Sequence, residues 1–188
     1  MPAYNERGDV VNLESMAVHE HHRQGAHAHL KMGVITASDT RNADSDVSGR
    51  LIREMLEGAG HHVIHYEVLP DTPERIAEVV RERLREVDGL IVNGGTGIAP
   101  RDSTIEALRP LIDKELDGFG ELFRALSFQE IGSAAFLSRA MAGISGGKIL
   151  VALPGSPNAC RLAMEKLLLP ELGHMAHLLG LASDKHHH

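Results

Sequence analysis

The sequence predicts an α/β fold: a three-layer α/β/α domain on a mostly parallel sheet, with an antiparallel hairpin strand. Three observations carry this expectation. Short runs rich in β-branched residues alternate with stripes of helical period, glycine or proline marks most junctions, and a Ser-Gly-Gly turn joins two apolar runs late in the chain. The 188 residues suffice for one such domain and are few for two.

Taken in order, residues 1–29 read as a polar arm carrying His19, His21, His22, His27 and His29. Such a cluster can bind a transition metal, but a solvated tail is the ordinary reading. A single domain is expected over residues 30–182. The apolar run 32–37 is a buried-strand signal. Ser48 offers a helix N-cap, Leu51, Ile52, Met55 and Leu56 form one stripe, and Gly58 and Gly60 stop it. Residues 62–69 read as a second strand. Thr72 and Pro73 open a helix lined by Ile76, Val79, Val80 and Leu84, and residues 89–93 form a third strand. Strand, helix, strand, helix, strand with short links is the mark of right-handed βαβ units.

In the second half, Ser103 and Glu106 have the spacing of a capping box, and Pro110 ends that helix. A helical stretch over 119–128 and an apolar segment over 131–137 follow. Residues 141–144 and 148–153 flank Ser145-Gly146-Gly147 as a hairpin. Ser156 and Pro157 start a helix that runs to Leu169, and Pro170 starts the last one. Residues 183–188 are a tail whose final histidines read as a purification-tag remnant.

Composition narrows the function. The net charge of −7, the aromatic share of 3% and the absence of Trp argue against a sequence-independent nucleic-acid binder. Cys160 is alone, so one chain can build neither a disulfide framework nor a cysteine-rich metal site. No apolar run reaches the ~18 residues of a membrane span, and no signal-peptide core is visible. A cytoplasmic protein with neither nucleic-acid nor membrane partners is expected.

Ligands of parallel α/β sheets bind beyond the carboxyl ends of the strands. The loops there carry Ser38-Asp39-Thr40-Arg41, then Pro70-Asp71-Thr72, then Gly94-Gly95-Thr96-Gly97 leading to Arg101-Asp102-Ser103-Thr104, and last Pro154-Gly155-Ser156-Pro157. A glycine run lets backbone N–H groups approach a phosphate, although a strand-to-helix turn needs glycine anyway. Ser156-Pro157 opens a helix whose free amides could take a second phosphate or simply be capped. Asp71 and Asp102 beside a phosphate cradle make sense as Mg²⁺ ligands; helix capping is the alternative for each. Arg41, Arg101, Arg124 and Arg139 are candidates to grip phosphate oxygens. Cys160, inside an apolar helix, reads as packing rather than as a nucleophile.

Seven segments in one order then form a recognisable pattern. They are Val34 through Arg41, Asp46-Val47-Ser48-Gly49, Gly94-Gly95-Thr96-Gly97, Arg101-Asp102-Ser103-Thr104 with Glu106-Ala107, Gly118-Phe119-Gly120-Glu121, Leu137-Ser138-Arg139-Ala140, and Pro154-Gly155-Ser156-Pro157. Their order and spacing resemble the MogA/MoaB family of molybdenum-cofactor biosynthesis proteins over roughly residues 28–180, with Phe128-Gln129-Glu130-Ile131-Gly132 closer to the MoaB branch.

The resemblance implies molybdopterin adenylyltransfer, in which molybdopterin and ATP with Mg²⁺ give adenylyl-molybdopterin and pyrophosphate. It implies Asp71 and Asp102 as catalytic or metal-binding carboxylates. Gly94, Gly95, Thr96, Gly97, Asp39 and the turn Pro154, Gly155, Ser156 would bind the nucleotide. That turn also borders the part of the site that receives the pterin, with Ser127, Ser138 and Arg139. The family assembles as trimers, MoaB-type members often as hexamers, and works with other molybdenum-cofactor assembly proteins. The intact Arg101-Asp102-Ser103-Thr104 favours an active enzyme over a non-catalytic pterin carrier or scaffold of the same pathway. A nucleotide-pyrophosphate hydrolase of the related damage-control type is a more distant alternative.

Overall fold

A computed structural model describes residues 29–181, together with two dipeptides, Ala3–Tyr4 and Val10–Val11, paired antiparallel. The histidines of the arm before His29, and residues 183–188, lie outside the described residues.

The central sheet has six strands. They are β1 (Lys31–Ala37), β2 (His62–Leu69), β3 (Gly89–Asn93), β4 (Lys114–Glu115), β5 (Met141–Ser145) and β6 (Lys148–Leu153), in spatial order β2-β1-β3-β6-β5-β4. β2, β1, β3 and β6 are mutually parallel, whereas β5 and β4 run antiparallel to their neighbours. The expected hairpin is the β5–β6 pair, closed by Gly146 and Gly147 at positive φ.

Side chains alternate between the two faces of these strands, and each face has its own core. Met32, Val34, Ile91, Ile149, Val151 and Leu153 pack one way, against Ile52, Phe123, Cys160 and Leu172. Ile35, Leu90, Val92, Leu150 and Ala152 pack the other way, against Ile76, Val79, Val80, Ile105 and Leu108. This double burial explains why β1 and β3 read as continuous apolar runs rather than as alternating ones. The result is the expected three-layer α/β/α sandwich. Fully burying a side chain such as Ile35 or Leu90 contributes about 1.5–3 kcal/mol.

The helices correct the sequence reading in detail. Helix α1 (Val47–Gly58) is capped by Asp46, whose side chain accepts from Gly49 N, and not by Ser48. Ser48 is buried and donates instead to the Gly155 carbonyl at 2.7 Å. Helix α2 (Pro73–Arg83) begins as expected at Thr72-Pro73. Helix α3 (Thr104–Leu108) has Ser103 at its N-cap position, but no capping box forms. Glu106, the residue that should close the box, is drawn away by Arg139.

β4 has no counterpart in the sequence reading, since two exposed charged residues on a sheet edge carry no hydrophobic period. After α4 (Asp117–Ile131), residues Gly132–Leu137 form a 3₁₀ segment. Helix α5 (Pro157–Ala163), a π turn (Met164–Leu168) and α6 (Leu169–Leu178) follow without a break. Pro170 has no N–H to donate to the preceding turn, and the wider π turn accommodates that loss.

Candidate functional site

The parallel strands end level with one another, since Thr36 pairs with Asn93, Ala37 with Leu69 and Asn93 with Leu153. The four loops that follow therefore meet at one rim. A buried polar network ties them below the surface. Asn93 Nδ2 donates to Thr36 Oγ1 at 2.8 Å, Thr36 donates to Asp46 Oδ2 at 2.6 Å, and Tyr66 OH donates to the same oxygen at 2.8 Å. Arg41 and Ser48 both donate to the Gly155 carbonyl, fastening the last loop to the first.

The glycine run sits where side chains would not fit. Gly94 has φ +95, and a Cβ there would lie 2.2 Å from the Ala37 carbonyl oxygen. Gly95 has φ +58, and its Cβ would lie 2.5 Å from both Asp71 carboxylate oxygens and 2.6 Å from Thr104 Oγ1. Asp102 is pressed against the same loop, with Oδ2 2.5 Å from the position a Gly97 Cβ would take, and it accepts from Ala99 N at 2.9 Å. The missing side chains thus let two carboxylates approach the loop backbone.

A cavity of about 180 Å³ opens at this point, lined by Ser38, Asp39, Arg41, Asp71, Gly94, Gly95, Arg101, Asp102 and Gly155 among others. Asp39 braces Asp71 by accepting from its backbone N–H at 3.0 Å. Burial, and then the charges of Asp102 and Asp39, hold the Asp71 carboxyl above its usual range, while Arg101 opposes them. On the other side of the Pro154-Gly155-Ser156 turn lies a second cavity of about 410 Å³. Ser127, Glu130, Ile131, Ser138, Pro154, Ser156, Asn158 and Leu162 are among its lining residues. One turn therefore serves two cavities: Gly155 faces the first, Pro154 and Ser156 the second.

A family model described as a probable molybdopterin binding domain matches residues 33–174. The chain belongs to the MogA/MoaB family of molybdenum-cofactor biosynthesis proteins. Molybdenum cofactor biosynthesis protein B of Halalkalibacterium halodurans is 48% identical over 159 residues, covering 83% of this chain and 94% of that protein. Its namesake from Bacillus subtilis is 48% identical over 163 residues, covering 85% of this chain and 95% of the relative. A solved molybdenum cofactor biosynthesis protein B matches with a TM-score of 0.78 and 49% identity, covering 81% of this chain and 97% of that one. The tungsten cofactor synthesizing protein MoaB from Pyrococcus furiosus matches at 0.72 and 40%, covering 82% and 97%.

Of the MogA/MoaB motif residues, Asp39, Asp71, Gly94, Gly95, Asp102 and Gly155 line the smaller cavity, and Ser127, Ser138, Pro154 and Ser156 the second. Thr96 is buried beside the glycine loop. Arg139 turns away from both cavities. Its Nε donates to the Thr96 carbonyl at 2.8 Å, and its terminal nitrogens to Glu106. Arg124 and Arg139 line a third cavity of about 530 Å³, whose lining does not include Asp71 and holds paired charges such as Arg109–Glu115 at 3.3 Å. That pairing makes it a poor phosphate site despite its size. Cys160 is fully buried, its thiol pushed up to about 12 by burial and then by Asp46.

The residues also fit a hard divalent cation. Asp71 Oδ1 is buried without a hydrogen-bond partner, and its neighbours Asp102 and Asp39 repel it when it is ionised. All three offer oxygen donors, the type Mg²⁺ prefers. Among the described residues no three acidic, His or Cys side chains cluster tightly enough to hold a metal alone, so phosphate oxygens or waters would complete the shell. The sequence names Thr104 and Asp46 only as members of motif segments and gives no role to either, yet the Thr104 hydroxyl is fully buried and unpartnered beside Gly95, and Asp46 centres the network beneath the rim. Both owe their place to long-range packing. A threonine and an aspartate at a helix start look ordinary in one dimension.

Proposed function

We propose that this protein transfers AMP from ATP to the terminal phosphate of molybdopterin, giving adenylyl-molybdopterin and pyrophosphate. The observation that carries this reading is the pair of cavities sharing the Pro154-Gly155-Ser156 turn, one acidic and phosphate-sized, the other larger and part apolar. A reaction that joins two substrates through a phosphate needs such a pair. The names of the relatives given above, molybdenum or tungsten cofactor proteins, support the choice of pterin.

In this reading the ATP phosphates lie against Gly94, Gly95, Thr96 and Gly97, with Asp39 and the Pro154–Ser156 turn closing that side. The pterin occupies the cavity of Ser127 and Ser138. A phosphate oxygen of the pterin attacks the α-phosphorus of ATP, forming a new P–O bond. The bond from that phosphorus to the bridging oxygen breaks, and its electron pair leaves with pyrophosphate. Mg²⁺ held by Asp71, Asp102 and phosphate oxygens would supply charge neutralisation at the transferring group. Arg41 and Ser48 hold the turn between the two substrates, and Arg101 balances the acidic rim. Catalysis is then mainly positioning.

The reading extends to a cytoplasmic homo-oligomer, trimer or hexamer, that hands its product to other molybdenum-cofactor assembly proteins. The exposed apolar side chains of Phe128 and Phe136, at 62% and 74% exposure, favour self-association. The test is pyrophosphate release from ATP and Mg²⁺ that depends on added molybdopterin and disappears in Asp102→Ala with folding preserved. Wild-type protein that binds molybdopterin but releases no pyrophosphate would instead be a carrier, and the proposal would fall.

A further inference from the structure

Glu106 and Arg139, from two of the motif segments, have no role in the transfer proposed above, yet they join in a network of polar contacts beside the site. Arg139 Nε donates to the Thr96 carbonyl at 2.8 Å, inside the glycine run. One terminal nitrogen reaches the Asp102 carbonyl at 3.5 Å and Glu106 Oε2 at 3.1 Å, and the other donates to Glu106 Oε1. A single planar guanidinium therefore holds the glycine loop, the Asp102 turn and helix α3 at once. The residue before it, Ser138, lines the second cavity, while Gly94 and Gly95 of the glycine loop and Asp102, whose backbone carbonyl it reaches, line the first.

We propose that Arg139 is a positioning residue: it fixes the glycine loop and Asp102 relative to the pterin cavity through the adjoining Ser138, and Glu106 holds its guanidinium in place. The inference rests on the two-cavity reading above. The fork geometry is the reason arginine is needed. Lysine keeps the charge but carries one nitrogen, which cannot serve two carbonyls and a bidentate carboxylate together. The energetic value of the Arg139–Glu106 pair itself is small, because Glu106 is 57% exposed and water screens it. Geometry is what is at stake.

The experiment compares full-length wild type, Arg139→Lys and Glu106→Gln by hydrogen–deuterium exchange and by steady-state kinetics of pyrophosphate release. Exchange at residues 94–102 should accelerate in Arg139→Lys, with other strands unchanged and a smaller effect in Glu106→Gln. The kcat should fall by about 10- to 100-fold while the KM for molybdopterin moves little, the pattern of misplaced reacting groups rather than lost binding. If Arg139→Lys fails to fold, Glu106→Gln, altered on the exposed side of the pair, carries the comparison. Wild-type exchange at residues 94–102 in both variants overturns the proposal, and so does an effect confined to KM. If wild type releases no pyrophosphate, the adenylyl-transfer reading fails, and the exchange data alone decide the role of Arg139.

Discussion

Replacing Asp46 with alanine removes the acceptor at the centre of the polar network below the rim. Its Oδ1 accepts from Gly49 N at 3.0 Å and caps α1, while Oδ2 accepts from Thr36 at 2.6 Å and Tyr66 at 2.8 Å. Losing the cap costs about 1 kcal/mol. Thr36 is fully buried, so an orphaned hydroxyl there costs about 1–3 kcal/mol more. Tyr66 is only half-buried and can turn to water, which limits its share to about 0.5–1 kcal/mol. Relief of the fully buried carboxylate, with Arg41 no nearer than 4.0 Å, offsets part of the sum. The expected net loss is about 2–4 kcal/mol, or about 5–15 °C in Tm for a domain of this size. Urea unfolding of Asp46→Ala, Tyr66→Phe and the double variant measures it, and the double variant should be less destabilised than the two singles added together. A loss below about 1 kcal/mol that is also additive with Tyr66→Phe would refute the network as a source of stability.

Three further outcomes follow from the site. Asp71 has a carboxyl raised in the folded state, so its ionisation opposes folding: the penalty is absent below the unfolded carboxylate value and complete above the folded one. Asp71→Asn should therefore raise Tm near about pH 8 and lose that advantage near about pH 3, and melts showing equal shifts at both would contradict the repulsion among Asp71, Asp102 and Asp39. Gly95→Ala combines a φ of +58 with a Cβ 2.5 Å from the Asp71 carboxylate. It should cost about 1–2 kcal/mol in stability for the left-handed backbone and also abolish Mg²⁺-ATP binding by calorimetry, and intact binding would count against the glycine loop as the phosphate seat. Cys160, with its thiol pushed up to about 12, should ignore an aromatic disulfide reagent at about pH 8 until denaturant unfolds the chain, and a rapid native reaction would show the helix to be open.

Much of the architecture is local in origin and was therefore legible in one dimension. Doubly buried strands require unbroken apolar runs, as at residues 32–37 and 89–93, and a two-glycine turn leaves the β5–β6 hairpin little choice. The rim loops follow from topology, because parallel strands place their carboxyl ends together. Asp71, Asp102 and the glycine run could be named as candidates for that reason, before any distance was known.

Other features depend on partners far along the chain. Asp46 rather than Ser48 caps α1, because Ser48 is taken by the Gly155 carbonyl, 107 residues away. The capping box at Ser103 fails because Arg139, 33 residues beyond Glu106, binds that carboxylate more strongly than a backbone N–H would. Thr104 looks like any first-turn threonine until folding buries its hydroxyl beside Gly95 without a hydrogen-bond partner. The sequence by itself determined the five longer strands and the loops that form the rim, since these depend on periodicity and turn chemistry. Tertiary structure alone decided which cavity each residue faces, that Asp71 is left with an unpartnered oxygen, and that Arg139 donates to the Thr96 carbonyl and to Glu106. Those outcomes turn on which donors and acceptors folding brings within about 3 Å of one another, a distance that sequence spacing does not encode.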